Sequence, residues 1–249
     1  MTSYCARHRL PAIVLVVAAA LTAPAAANAA GPSADPAASK PLSNELTLTR
    51  WAYPNSRAVV RRAPVATARA VGRLRWFTED GLAEVYVVLS QWTDARGRTW
   101  VRPRLPQRPN GTTGWVRRRA LGSLRVVRTL LDIDKRHRRA RLYRSGRLIF
   151  SAPIGIGKPS TPTPSGHFWI REKFPVRGVG LYGPYAMGTS AYAPTLSDWP
   201  GGGVVGLHGT NQPWLVPGRP SHGCIRLHNA DITKLYRLTP RGTPIHIHG

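Results

Sequence analysis

The segment GLHGTNQPWLVPGRPSHGCIRLHN, residues 206–229, holds the residues with the most informative chemistry in this chain of 249 residues. Cys224 follows Gly223, and a glycine before a nucleophile allows a tight turn and the close approach of a substrate backbone. His208 lies upstream, and the glycine and three prolines of the intervening loop allow the chain to fold back. The segment therefore predicts a cysteine nucleophile, Cys224, with His208 as its general base.

Other groups that a cysteine nucleophile needs have candidates beside it. The backbone amides of His222, Gly223 and Cys224 are expected to point inward together and to hold an oxyanion. Arg226 is expected to receive a substrate carboxylate through two hydrogen bonds. Because an imidazole lies next to the thiol, we also expect a thiolate–imidazolium pair with a lowered thiol pKa.

The number of cysteines in the chain supports a catalytic role for Cys224. Residues 1–29 have the features of a secretory signal peptide, namely a basic start, a short apolar run and an Ala-Asn-Ala cleavage site. Their removal would take away Cys5 and leave Cys224 as the single cysteine of an exported protein. Exported proteins usually pair their cysteines. The alternative to a signal peptide is a membrane anchor, for which the apolar run is short. The alternative to a catalytic Cys224 is a buried cysteine without reactivity.

The rest of the chain indicates a mostly β protein. Residues 30–45 are rich in Ala, Pro and Ser and predict a flexible linker. Residues 46–122 contain several short strands with turns, which suggests a small barrel. This part resembles a bacterial SH3-like domain, and its closing Gly-Trp-Val at 114–116 is typical of them. We expect it to localise the protein without taking part in bond chemistry.

Residues 124–249 are expected to form a β-rich catalytic domain with one short helix. A hairpin turn is predicted at Ser145-Gly146, and a helix at 229–238 with Asn229 as its cap. Residues 175–203 show little regular pattern and predict a long functional loop. Tyr182 and Met187 lie in that loop and are candidates for lining a substrate cleft.

Three motifs in this half resemble the L,D-transpeptidases with a YkuD-type catalytic domain. They are His-Gly-Thr at 208–210 with Ser-His-Gly-Cys-Ile-Arg-Leu at 221–227, Ile154–Pro159, and Thr-Pro-Thr-Pro-Ser-Gly at 161–166. The resemblance implies Cys224 as nucleophile, His208 as base, and the carbonyl of Gly209 as the group that orients the base. It also implies that His222 and Gly223 shape the oxyanion site, and that Ser221 and Arg226 belong to the substrate site.

The resemblance further implies an activity. The thiolate would attack the carbonyl of the third residue of a peptidoglycan stem tetrapeptide and release D-alanine. A stem amine would then take the acyl group, which gives a 3→3 cross-link, without any cofactor. Covalent inhibition by carbapenem-type β-lactams is expected. Related proteins instead attach a lipoprotein or use water as L,D-carboxypeptidases.

The net charge of +25 indicates that the binding partners of this protein are anionic. Such a basic balance often indicates nucleic acid, but the export signal argues against it. Anionic polymers of the cell wall are therefore the expected partners, and the wall or periplasmic space is the expected location.

Two rival readings remain open. Several possible ligands would suit zinc, although their spacing matches no common zinc motif: His208, His222, Cys224, His228, His246 and His248. His246 and His248 alternate within a terminal strand and are expected only to face the same side of the sheet. The other rival is a wall-binding protein without catalysis; a cysteine peptidase of another fold is disfavoured because no N-terminal helix bears the cysteine.

Overall fold

The computed structural model describes residues 39–177, 180–197 and 202–249. The predicted signal peptide and the first part of the predicted linker lie outside these ranges. Within them, no helix is long and apolar enough to cross a membrane. The prediction of a mostly β protein is confirmed, and the one α-helix of the described residues is α1, Asn229–Leu238, as predicted.

The N-terminal half forms two small sheets. Its strands are β1 (Lys40–Pro41), β2 (Thr49–Ala52), β3 (Val59–Arg61), β4 (Ala70–Arg73), β5 (Tyr86–Thr93), β6 (Thr99–Pro103), β7 (Val116–Arg117) and β8 (Arg125–Val127). Six of them form one sheet in the order β7-β6-β5-β2-β8, with β1 also paired to β5, while β3 and β4 form a hairpin. A bridge between Arg61 and Trp115 connects the hairpin to the end of the larger sheet. Buried aliphatic side chains and Tyr86 fill the space inside.

Two predicted boundaries in this half change. The linker was predicted to reach residue 45, but Lys40–Pro41 pairs with β5, and Ser43 Oγ donates to the carbonyl of Val88 at 2.6 Å. The catalytic domain was predicted to begin at residue 124, but β8 pairs with β2 of the N-terminal sheet. Composition suggested neither pairing, because each partner strand lies far away in the sequence.

The C-terminal half is built on a ten-stranded sheet. Its strands are β9 (Thr129–Asp134), β10 (Arg139–Arg144), β11 (Arg147–Pro153), β12 (Gly155–Gly157), β13 (Gly166–Pro175), β14 (Tyr185–Tyr192), β15 (Val204–His208), β16 (Gly218–Ser221), β17 (Ile225–Arg226) and β18 (Pro244–His248). Their order is β11-β10-β9-β18-β13-β14-β15-β17-β12-β16. The predicted Ser145-Gly146 turn is confirmed, since both residues have positive φ and join β10 to β11. Helix α1 packs on β14 through its buried Ile232 and Leu235.

The prediction of a long loop over 175–203 is wrong in its centre. Strand β14 occupies that stretch and lies in the middle of the sheet, between β13 and β15. Its sequence, YAMGTSAY, is rich in small residues and is buried at seven of eight positions. A strand covered on both faces shows no alternation of apolar and polar residues, so the periodicity of a half-exposed strand is missing.

The two halves pack closely against each other. Trp169 of β13 joins a buried apolar cluster whose other members come from the N-terminal sheet: Trp51, Val85, Val87 and Val127. Its indole Nε1 donates to the carbonyl of Val85 at 2.9 Å. The described residues therefore fold as one unit, although they contain three separate sheets.

Candidate active site

The pairing of two parallel strands brings the predicted nucleophile and base together. In the β15–β17 pair, Leu207 lies opposite Ile225 and His208 lies opposite Arg226. Cys224 directly precedes β17, and its Sγ accepts a hydrogen bond from the Gly206 amide at 3.5 Å. Because side chains alternate along a strand, Cys224, His208 and Arg226 point to the same face. Cys224 and His208 both line the same two cavities.

The imidazole of His208 is held in one orientation. It is 4% exposed, and its Nδ1 lies 2.6 Å from the carbonyl oxygen of Gly209. A carbonyl only accepts hydrogen bonds, so Nδ1 carries the proton and Nε2 is free to accept one. The ring of Tyr182 packs edge-on against the imidazole, with ring centroids 4.5 Å apart. The geometry gives Gly209 the orienting role that the family resemblance implies.

The backbone after His208 is fixed by a close three-way contact. Asn229 Oδ1 accepts a hydrogen bond from the Thr210 amide at 2.9 Å. A Cβ atom on Gly209 would lie 2.3 Å from that same oxygen and 3.0 Å from the Cα of Gly183. The prediction that Asn229 caps α1 is therefore wrong. His228 occupies the cap position, and the Asn229 side chain holds the loop after the base instead.

The turn before Cys224 is shaped by Ser221, whose side chain is buried. Ser221 Oγ donates to the carbonyl of Cys224 at 2.5 Å and accepts from the Gly223 amide at 3.2 Å. Gly223 has φ of +123°, a conformation that favours glycine. Of the three amides predicted to hold an oxyanion, that of Gly223 is thus already donated to Ser221. Ser221, predicted to bind substrate, shapes the turn.

Thr163, which the sequence analysis did not single out, supports the same turn from outside. Its buried hydroxyl donates to the carbonyl of Gly223 at 2.8 Å and accepts from the amide of Gly157 at 2.9 Å. The Thr163 hydroxyl thereby connects Gly223, the residue before the nucleophile, to two of the motifs that resemble the family. These are Ile154–Pro159 and the Thr-Pro-Thr-Pro-Ser-Gly segment. Its place in the Thr-Pro-Thr-Pro-Ser-Gly motif was the available signal.

Two cavities meet at Cys224 and His208. The first is lined mostly by apolar side chains, and its polar groups include Ser221, His222 and Arg226. Arg226 donates to Gln212 Oε1 at 3.2 Å, while its buried Nε has no partner among the described residues. His222 is exposed at the rim of this cavity.

The second cavity contains two carboxylates that the sequence analysis did not identify. Asp80, from the N-terminal half, and Glu172 of β13 line it together with Cys224. Burial and the neighbouring Asp80 raise the pKa of Glu172 to about 7, although Thr78 donates a hydrogen bond to its carboxylate at 2.5 Å. Tyr182 and Met187, the two residues predicted to line a substrate cleft, both line this cavity but differ in exposure. Tyr182 is 41% exposed at the mouth, whereas Met187 is fully buried in the wall.

Burial determines the charge state of the two central groups. It raises the pKa of the Cys224 thiol, and it lowers the pKa of His208 to about 4. In both cases the removal of water disfavours the charged form. Both shifts favour a neutral thiol and a neutral imidazole in the resting site over the expected thiolate–imidazolium pair.

The N-terminal half also supports the wall of the first cavity. The guanidinium of Arg108 donates to the carbonyls of Ala193, Leu196 and Gly202 at 3.1, 2.8 and 3.0 Å. Asn110 exchanges two hydrogen bonds with the backbone of Tyr192, at 2.8 and 3.0 Å. These contacts leave the expectation that this half takes no part in bond chemistry untested, but they show that its side chains hold the segment that lines the site.

Metal ligation at the catalytic centre receives no support from the arrangement of donors. Within the described ranges, the one group of three or more possible ligands is Asp132, His246 and His248, on strands distant from Cys224. His228 instead contacts Asp231 and the carbonyl of Pro213. The six predicted ligands thus do not gather at one place.

Comparison with known proteins points to one family over the C-terminal half. Residues 128–247 match the YkuD family, described as the L,D-transpeptidase catalytic domain. The protein named L,D-transpeptidase YkuD in Bacillus licheniformis is 37% identical over 110 residues, which is 44% of this chain and 59% of that protein. Its namesake in Bacillus subtilis is 37% identical over 103 residues, or 41% and 56% of the two chains. The chain thus spans less than two thirds of the length of these relatives.

Two solved structures are also similar. One is Bd1075 of Bdellovibrio bacteriovorus, 30% identical, with 49% of this chain and 47% of that chain covered and a TM-score of 0.39. The other is the catalytic domain of an L,D-transpeptidase of E. faecium acylated by ertapenem, 26% identical, covering 48% and 96%, with a TM-score of 0.37. The motifs around Cys224 agree with the family match, and residues 128–247 are similar in sequence to the YkuD L,D-transpeptidase catalytic domain.

Proposed function

We propose that this protein is an exported cysteine acyltransferase that cross-links peptidoglycan. It would cleave the terminal D-alanine from a stem tetrapeptide and pass the acyl group to an amine of a neighbouring stem. The observation that carries this proposal is the placement of Cys224 and His208 on one face at the junction of two cavities, with the imidazole oriented by Gly209. The YkuD family match supports the same substrate class.

The first half-reaction follows from the neutral resting pair. As the sulfur attacks the carbonyl carbon, His208 Nε2 takes the thiol proton, so no free thiolate need form beforehand. The carbonyl oxygen becomes an oxyanion, and the backbone amide of Cys224 is its candidate donor. Collapse breaks the C–N bond, the leaving amine of D-alanine takes the proton from His208, and a thioester on Cys224 remains.

The second half-reaction needs an acceptor, and the charges of the cavities favour an amine. Arg226 in the first cavity is suited to a carboxylate of the donor stem. The second cavity is lined by Asp80, Glu172 and Arg177, and the carboxylate of Asp80 is suited to a cationic amine on its way to the thioester. After losing its extra proton to solvent, the neutral amine would attack the acyl carbon and give one proton to His208, which passes it to the departing sulfur of Cys224. Water as acceptor would make the protein an L,D-carboxypeptidase.

One experiment separates these outcomes. The purified protein without residues 1–29 is incubated with disaccharide-tetrapeptide, and the products are identified by mass. A cross-linked dimer with loss of one D-alanine supports transpeptidation, and the tripeptide alone supports the carboxypeptidase. If neither product forms with a folded protein, the proposed activity is wrong.

The nucleophile is tested with two reagents. We expect Cys224→Ala to reduce turnover by roughly 10⁴-fold or more while the fold survives. Carbapenems present a strained carbonyl to the thiol, and we expect one adduct per chain by intact mass, absent from Cys224→Ala. A folded wild-type protein that keeps a free thiol and gains no mass would contradict this role.

We also propose that residues 46–122 are an SH3-like domain that adds affinity for the cell wall. Residues 46–125 carry 16 arginines against 4 acidic residues, which is suited to anionic wall polymers. Because exposed charges are screened by salt, binding to isolated sacculi should weaken as the salt concentration rises. Binding that does not change with salt would oppose an electrostatic role.

A further inference from the structure

A cluster of histidines lies on the large sheet, three strands away from β15 and its His208. His246 and His248 alternate along β18 with the buried Ile245 and Ile247, so both imidazoles point away from that core. Strand β9 runs parallel to β18 and places Asp132 opposite His246. The two strands are more than a hundred residues apart in sequence, so only their pairing creates the group.

We propose that Asp132, His246 and His248 form a binding site for a divalent transition-metal ion of the zinc class. One donor atom from each residue lies within 4.8 Å of the others. Donors bound to one zinc ion at about 2.0–2.1 Å are separated by roughly 3–3.5 Å, so small side-chain rotations close the site. The alternation of a strand would explain two histidines on one side, but not their convergence with a carboxylate.

The carboxylate is already aimed at the centre of the group. Asp132 Oδ1 lies 2.8 Å from Nε2 of His248, so an ion between them would replace the shared proton. Arg141 approaches the other carboxylate oxygen, Oδ2, at 3.5 Å. The nearby Asp134 is engaged by His137 at 2.7 Å. One oxygen of Asp132 thus remains for a metal, while the other is held in place by a cation.

The neighbouring ring limits how His246 can turn. His167 lies opposite it on β13, and the two imidazoles stack with centroids 4.6 Å apart and planes 5° apart. The ring of His248 lies 4.9 Å from that of His246. A stacked ring loses little freedom on binding a ligand, which favours a preformed site.

The ligand types select the metal class. Two imidazole nitrogens and one carboxylate oxygen suit zinc, copper or nickel, whereas magnesium and calcium prefer oxygen alone. Three protein ligands leave one position of a tetrahedral zinc ion for water or another small ligand. The proposal concerns binding on this side of the sheet and assigns no role to the metal in acyl transfer.

The test measures binding of Zn²⁺ by calorimetry to the chain without residues 1–29. All variants carry Cys224→Ala, which removes the thiol as a competing ligand. We expect one ion per chain, bound at least tenfold more weakly after His248→Ala or Asp132→Asn. His228→Ala, which removes a histidine outside the cluster, is the matched control and should leave the affinity unchanged. Mg²⁺ should give no heat at the same concentrations.

Circular dichroism keeps the result interpretable, because each variant is compared only if its spectrum matches that of the parent. Asp132→Asn preserves the shape of the side chain and serves if His248→Ala does not fold. The proposal is overturned if the parent binds no Zn²⁺, or if the cluster variants bind it as tightly as the His228→Ala control. That second outcome would show adventitious binding by surface histidines.

Discussion

Arg171 and Glu84 form an ion pair between the two sheets, and neither side chain is exposed to solvent. Arg171 belongs to β13, and its Nε donates to Glu84 Oε1 at 2.9 Å; Glu84 lies just before β5. A second carboxylate, that of Glu79, lies 2.9 Å from Nη2 of the same guanidinium. Arg171 thus depends on the N-terminal half for the neutralisation of its buried charge.

Removal of one partner of the Arg171–Glu84 ion pair should destabilise the folded protein. We expect Glu84→Ala to lower the free energy of unfolding by about 3–5 kcal/mol, because it leaves a buried guanidinium with less compensation. Chemical denaturation followed by tryptophan fluorescence measures this loss. The control is Arg98→Ala, which breaks a pair with Asp94 in which the arginine is 46% exposed and should cost about 1 kcal/mol or less. Equal losses in both variants would contradict the structural role of the buried pair.

The same interface predicts the behaviour of a truncated chain. If the N-terminal half takes no part in bond chemistry, as the sequence predicts, residues 124–249 alone should process a small muropeptide. In the structure, removal of the N-terminal half would expose Trp169 and leave Arg171 without Glu84 and Glu79. We now expect the truncated chain to be unfolded or inactive, which circular dichroism and the muropeptide assay would show. A folded truncated chain with wild-type activity would restore the original expectation.

The close contact between Gly209 and Asn229, next to His208, should not tolerate an added methyl group. In Gly209→Ala the new Cβ would lie 2.3 Å from Asn229 Oδ1, so the carbonyl that orients His208 must shift. A misplaced base lowers turnover, and we expect kcat/KM to fall by roughly 10²-fold. Gly180→Ala, where the added Cβ meets nothing within 4 Å, is the control. Unchanged kcat/KM in Gly209→Ala would show that this contact does not position the base.

The pKa of His208 predicts the acid limit of activity. Burial lowers this pKa to about 4, so the imidazole remains neutral and able to accept a proton well below pH 6.5. We expect kcat/KM to fall on the acid side near pH 4 and not near pH 6.5. The unfolded histidine binds its proton near pH 6.5, so the contribution of His208 to stability is full above that pH and is lost as the pH falls toward 4. A midpoint near 6.5 for a folded protein would contradict the burial argument.

Glu172 should act in the opposite sense on stability. Burial raises its pKa to about 7, so the folded protein retains a proton that the unfolded chain releases near pH 4.5. Stability is therefore lost as the pH rises from about 4.5 to 7. Glu172→Gln should remove this loss and stabilise the protein by on the order of 1 kcal/mol at pH 8, with little change at pH 4. Thermal unfolding across this range checks the difference, and parallel curves for the two proteins would oppose it.

Local sequence signals predicted the features that depend on neighbouring residues. The Ser145-Gly146 turn and the helix over 229–238 follow from backbone preference and periodicity, and the structure has them where they were predicted. The position of Cys224 within Ser-His-Gly-Cys predicted thiol chemistry before any contact was known. Such signals are readable because their physical cause lies within a few residues.

Only the tertiary structure decided the features that join distant segments. Strand β14 carries no periodic signal because it is buried on both faces, and its place in the sheet comes from β13 and β15. The carboxylates of Asp80 and Glu172 share a cavity with Cys224 because the N-terminal half packs on β13. The charge states of Cys224 and His208 depend on burial, which no local pattern encodes. Strand pairing likewise brings Asp132 to His246, across more than a hundred residues of sequence.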